Sequence, residues 1–293
     1  MSAELKPDTL ASRGADWRDV MPYAAYGRVS DWCGLWAMEE TAAQALRFLV
    51  ERTPPAQHMA AAPGRAPTYT QMIPARAGKN IAMIRAAGTL MKAESSFGGT
   101  STVQLRRDIR SAVADETVSG ILLSIDSPGG TVDGTYDLAA DVKAAGRKKP
   151  VYAHVDGMAA SAAYWMASQA SAVYAGNPMA QIGSIGTYLA VYDYSAAAER
   201  DGIKVHLFTT GPLKGLGVPG TALTDDHKAH LQGRINEAQT FFDDAVRKGR
   251  GLSATQLDGV RTGAAWFAAK AQELRLIDGI KTLDATLAAL AAA

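Results

Sequence analysis

An α/β domain with a largely parallel sheet is what this chain predicts, on three observations. Segments of strand length alternate with segments of helix length throughout the region that follows residue 78. The strongest strand segment, GILLSID at 120–126, is an unbroken apolar run, which suits a strand covered on both faces. Two glycine-rich turns, SPGG at 127–130 and DGMAAS at 156–161, fall at the carboxyl ends of strand segments, where such sheets hold their ligands.

The elements follow in order. Residues 36–50 (WAMEETAAQALRFLV) hold Ala, Leu and Met at helical spacing and predict a helix of about four turns. Residues 52–79 collect five of the twelve prolines, Pro54, Pro55, Pro63, Pro67 and Pro74, among Ala, Gly and Thr, and read as a linker or extended arm. NIAMI at 80–84 is a short apolar strand. Val103, Leu105, Ile109 and Val113 then give the next segment a helical apolar face. After the strand at 120–126, residues 135–143 are helical, VYAHV at 151–155 is a strand behind Pro150, and a helix of small residues starts near Ala160. KVHLFTT at 204–210 reads as one more strand and residues 225–247 as a long helix.

At 293 residues the chain amounts to one large domain, or one plus a small appendage. Lys and Arg number 30 against 29 Asp and Glu, and 47% of residues are hydrophobic, which excludes a disordered chain or a strongly nucleic-acid-binding one. Cys33 is the sole cysteine, so an intramolecular disulfide, a CxxC centre and a four-thiolate zinc site are all excluded. A reducing, cytoplasmic setting is expected. Charges run through the first thirty residues without a signal-peptide core, and the weakly polar stretch 158–175 lacks the ~20 strongly apolar residues of a membrane span.

Ser161 carries the first chemical signal. It stands after a strand and a glycine turn, at the start of a helix, where a nucleophile projects into the crevice and helix-start amides favour negative charge on a reacting oxygen. A capping or packing serine fits the same segment. The SPGG turn adds Gly129 and Gly130, whose backbone freedom lets amide hydrogens point into the crevice as an oxyanion hole; a Pro-Gly-Gly triplet alone is commonly just a tight turn.

A serine needs a base. His58 lies in the linker, His154 and His206 in strands, and His227 and His230 at a charged helix start, none of them in a glycine-rich turn. HKAH lacks the HExxH zinc pattern, so no metal is expected. Lys214 sits in GPLKGLGVPG (211–220) with no other charge around it. At a reference pKa of about 10.4, only roughly one lysine in 2,500 is neutral at pH 7. Bringing a lysine down by about three pH units takes roughly 4 kcal/mol, which burial among apolar groups can supply.

Taken together, SIDSPGG (124–130), GMAASAAYWMAS (157–168), IGSIG (182–186) and LKGLG (213–217), in this order and spacing, resemble the signal peptide peptidase A or protease IV family of serine peptidases. RKGRGLSATQLDGVRTGAAWFAAKAQELRLIDGI (247–280) is similar to that family's closing segment. The resemblance implies Ser161 as nucleophile, Lys214 as base, the amides of Gly130 and Ala162 as oxyanion hole, Gly129 in substrate binding and Ser184 orienting the lysine. It also implies a ClpP/crotonase-like fold of stacked β-β-α units with crossing, largely parallel sheets. The expected organisation is an N-terminal helical segment and linker at 1–77, a peptidase domain at 78–285 and an Ala-rich tail at 286–293.

The prefix with Trp32 and Trp36, and the proline linker, resemble the phage minor capsid protein C branch, which implies a head-maturation protease without cofactor, acting on peptide or protein. Expected partners are further copies of the chain in a ring, with Ser161 meeting Lys214 either of its own chain or of a neighbour, and capsid, scaffold or portal proteins. Nucleic acid and membrane are not expected partners; cytoplasm or procapsid is the expected location. Rival readings are a signal-peptide-degrading peptidase of the same family, an inactive scaffold or capsid component, and a crotonase-type acyl-CoA enzyme, for which Asp126 is the nearest carboxylate.

Overall fold

The computed structural model describes residues 35–52, 68–92 and 99–293. Trp32, Cys33, His58, Pro54, Pro55, Pro63 and Pro67 lie outside the described residues. The described chain divides into two compact units, one of residues 34–189 with 233–293, the other of residues 190–232.

The large unit is built on repeated strand, strand, helix modules. In the first, β3 (Asn80–Ala87) is followed by the short β4 (Leu90–Met91) and β5 (Thr100–Ser101) and then α2 (Thr102–Ala114), the helix α1 being Glu40–Arg52. In the second, β6 (Val118–Ser127) turns through Pro128 into β7 (Gly129–Thr131) and α3 (Thr135–Gly146). The long strand β8 (Val151–Ala160) leads into α4 (Ala162–Ala167), followed by β9 (Ala172–Ala175) and β10 (Gln181–Gly183).

The long strands pair in parallel, β3 with β6 and β6 with β8, and β8 pairs in parallel with β9 near its start and with β10 near its end. Their short followers β7, β4 and β5 belong to a separate four-stranded sheet. The expected α/β architecture of stacked modules with two largely parallel sheets is thus present. Burial explains the central strand: Ile121, Leu122, Leu123 and Ile125 are all enclosed, so a continuous apolar run is what β6 requires.

Three expectations need correction. Residues 36–38 are not the start of a helix but a strand, β1 (Trp36–Met38), antiparallel to β7. The helix begins only at Glu40, behind Glu39, whose carboxylate accepts from the amides of Thr41 and Ala42. The end of the supposed linker forms β2 (Thr70–Pro74), antiparallel to β3 at the sheet edge, where a terminal proline is tolerated. Finally, 204–210 forms no strand; within its unit it has no pairing edge, and Leu207 and Phe208 are exposed, the latter 93%.

The remaining elements close the large unit. The short α5 (Ser195–Arg200) belongs to the smaller unit, and helix α6 (Asp225–Arg250) continues from that unit into the large one, where its Phe242 stacks on Trp165 of α4 with centroids 4.7 Å apart. A methyl group on Gly249 would lie 2.1 Å from the Ser168 carbonyl oxygen, so only glycine permits this approach of α6 to the end of α4. Beyond α7 (Ala254–Val260), β11 (Ala265–Phe267) pairs antiparallel with β10. After α8 (Ala268–Glu273), β12 (Gly279–Ile280) extends the sheet beside β9. The alanine-rich end folds as α9 (Leu283–Leu290), whose Leu290 packs with Ile81 and Leu122. No described helix is long and apolar enough to cross a membrane.

Candidate active site

Ser161 occupies the turn between β8 and α4 with φ 53° and ψ −119°, a left-handed conformation that glycine tolerates and serine does not favour. Such strain, about 1–3 kcal/mol, persists only where the surroundings enforce it. Here the Ser161 N–H donates to the Gly183 carbonyl at 2.7 Å, and the Ser161 carbonyl accepts the first bond of α4, from Trp165 at 2.8 Å. A strained serine in a strand-to-helix turn is the geometry that lifts a nucleophile out of the backbone. Among the described residues its Oγ makes one long contact, 3.4 Å, to the Gly186 carbonyl.

The SPGG turn lies directly against this serine turn. Ser127 fixes it by donating to the Gly88 carbonyl at 2.6 Å and accepting from the Gly129 N–H at 3.2 Å. Gly129 has φ 100°, and a methyl group there would sit 2.9 Å from both the Ala160 carbonyl oxygen and the Ala162 nitrogen. A methyl group on Gly130 would lie 1.7 Å from the Leu90 carbonyl oxygen. Both glycines are therefore required by close backbone approach, not only by turn chemistry.

Ser184 joins the cluster from the end of β10. It too has positive φ, 50°, and its N–H donates to the Ala264 carbonyl at 2.7 Å. Ser161, Ala162, Gly129, Gly130 and Ser184 thus converge at the carboxyl ends of β6, β8 and β10. Lys214 belongs to the other unit, where it is exposed, with its N–H donating to the Gly211 carbonyl at 3.0 Å. His227 ties down that loop through a contact of its Nε2 with the Pro212 carbonyl, 2.9 Å.

The surroundings are apolar and tightly bonded. Tyr164, fully buried one turn into α4, donates to the Leu276 carbonyl at 2.7 Å, and burial pushes its phenol well above the ordinary range. Asp156, ahead of the serine turn, is held below the usual carboxylate range chiefly by its hydrogen bond with buried His154, and its other oxygen accepts from Ser124. Asp126 accepts from the Met158 N–H at 3.1 Å, a structural role in the turn.

One part of the site is not predicted by the motifs. Strand β1 runs along β7, pairing Met38, Ala37 and Trp36 with Gly129, Gly130 and Thr131. The available signal was the apolar WAM triplet immediately ahead of an acidic helix start, EET.

A strained serine thus stands beside a double-glycine turn at the strand ends of the α/β sheet. The chain belongs to peptidase family S49, whose model matches residues 143–293. It is 34% identical over 177 residues to the capsid assembly protease C of Escherichia phage lambda, covering 59% of this chain and 40% of that protein. It is 29% identical over 221 residues to protease 4 of Salmonella typhi, covering 75% of this chain and 35% of that one. These matches span less than half of either relative's length. Among solved structures, a ClpP1 mutant from Listeria monocytogenes aligns at 12% identity over 69% of this chain and 93% of that one, with a TM-score of 0.45.

Proposed function

We propose that the chain is a serine endopeptidase that uses a Ser161–Lys214 dyad and serves in phage or prophage capsid maturation. The observation that carries the reading is the strained Ser161 lying against the Gly129–Gly130 turn in a chain of family S49. Similarity to the lambda capsid assembly protease supports the biological role.

In this mechanism the Lys214 amine takes the Ser161 hydroxyl proton as Oγ bonds to a peptide carbonyl carbon. The amides of Gly130 and Ala162 donate to the oxyanion, and Ser184 orients the lysine. The carbon–nitrogen bond then breaks, the departing amine receives the proton, and water hydrolyses the acyl-enzyme on Ser161.

A base lysine works only when desolvated, and Lys214 is exposed in the single chain. This supports a ring of identical subunits in which contact covers Lys214 and brings it to a neighbour's Ser161. The exposed apolar side chains Leu207, Phe208 and Leu213 near it support the same assembly. A fluorophosphonate probe tests the nucleophile: labelling located at Ser161 by peptide mass supports the reading, and a folded, assembled protein left unlabelled there contradicts it.

A further inference from the structure

Strand β1 lies in the site as an extended peptide would. Along one edge the Val132 N–H donates to the Leu35 carbonyl at 3.0 Å and the Glu39 N–H to the Pro128 carbonyl at 2.7 Å. Ala37 and Gly130 are the partners between these two bonds. Hydrogen-bonded pairs recur at every second residue of an antiparallel ladder, so Ala37 and Gly130 exchange N–H and carbonyl, and the Gly130 amide donates to the Ala37 carbonyl. Along the other edge Trp36 and Tyr188 exchange both bonds, each 3.0 Å. The strand is held on both sides.

The register matters for chemistry. A methyl group on Gly129 would lie 2.3 Å from the Ala37 carbonyl oxygen and 2.9 Å from the Ala162 nitrogen, so that oxygen and that amide meet the same face of Gly129. The Ala37 oxygen therefore lies beside the two amides assigned to the oxyanion. Ala37 and Ser161 are both fully buried, and Ala37 takes up the Gly130 edge, so an outside peptide pairs with Gly130 only after β1 leaves. Two residues upstream on the same strand face, Leu35 lines a cavity of about 440 Å³ with Val132, Tyr136, Trp165 and Phe241 and with the charged Arg234 and Glu237, a largely apolar recess for a side chain of the bound strand.

We propose that β1 is the chain's own first substrate: Ser161 cuts the Ala37–Met38 bond, and this self-cleavage opens the cleft to other peptides. The inference rests on Ser161 being the nucleophile. Ser161 Oγ bonds to the Ala37 carbonyl carbon, and the bond from that carbon to the Met38 nitrogen breaks. The serine proton passes through the base to the Met38 amine. Water then hydrolyses the Ala37 ester, leaving an Ala37 carboxylate and a restored Ser161 hydroxyl. The preferred outside substrate is accordingly an extended segment with a small residue before the cleaved bond and an apolar one two residues earlier.

The test is a time course on the full chain by intact mass and amino-terminal sequencing, with fluorophosphonate labelling and casein hydrolysis read on the same samples. Ser161→Ala is the inactive control, and Lys214→Ala, at an exposed position, is a second in case the first fails to fold. The expected result is a new amino terminus at Met38 in the wild type alone, with casein hydrolysis rising at least about threefold as the cut form accumulates. Wild type labelled at Ser161 yet intact at Ala37–Met38 overturns the inference and leaves the peptidase reading standing. Absence of both labelling and cleavage overturns the two together, and equal cleavage in Ser161→Ala assigns the cut to another protease and overturns the inference alone.

Discussion

The Ser161 N–H donates to the Gly183 carbonyl at 2.7 Å, one residue before Ser184, so the Ser161 turn is fastened to a second turn that also has positive φ. Two L-residues in the left-handed region, side by side at the ends of β8 and β10, concentrate backbone strain at the proposed site.

That strain predicts a trade between stability and function. Ser161→Gly and Ser161→Ala both remove the hydroxyl, but only glycine relaxes at φ 53°. Relief of about 1–3 kcal/mol exceeds the extra unfolded-state freedom of glycine, about 0.4–1 kcal/mol. Ser161→Gly is expected to melt above Ser161→Ala by calorimetry, with both inactive; the reverse order would remove strain from the account.

Tyr164 ties α4 to the Leu276 carbonyl. Tyr164→Phe leaves the Leu276 carbonyl without its buried donor, a loss of about 1–3 kcal/mol. In a chain of this size the melting temperature should fall by about 2–4 °C per kcal/mol. An unchanged melting temperature would mean that the hydroxyl contributes nothing net.

Acid should loosen the turn ahead of Ser161. Folding lowers the Asp156 pKa, so its contribution to stability is complete above the ordinary value of 3.8 and is lost as pH falls through the lower folded value. Wild type should therefore lose more stability than Asp156→Asn between about pH 5 and pH 2, measured as melting temperature against pH. Parallel curves would show that the His154 and Ser124 bonds to Asp156 carry no such linkage.

Much of this architecture is legible in the sequence because it is local. The apolar run of β6, the helical face of Leu105 and Ile109, and the glycine turns each carry their own signal. Strand β1 is not legible in that way: three residues have no period, and what makes them a strand is pairing with Gly129–Thr131, far along the chain. The segment 204–210 fails in the opposite sense, having a strand's composition without a partner edge within its unit. Glycine requirements at 129 and 130 are visible as a motif, whereas their cause, contact with the Ala162 amide and the Leu90 carbonyl, needs three dimensions.

If the dyad forms between subunits, inactive variants should rescue each other. Mixing Ser161→Ala with Lys214→Ala after verified subunit exchange pairs some intact serines with intact lysines, and casein hydrolysis should return to a sizeable fraction of wild type. No recovery would place both residues of the dyad within one chain.

The central claim is that Ser161 attacks with a lysine as its base. Its most direct test is casein cleavage by purified wild type, Ser161→Ala and Lys214→Ala, side by side from pH 6 to pH 10. The account predicts a wild-type rate that rises through a single ionisation on the alkaline side, and a fall of about 10⁴-fold or more in either variant. Wild-type activity retained by Ser161→Ala would contradict it outright.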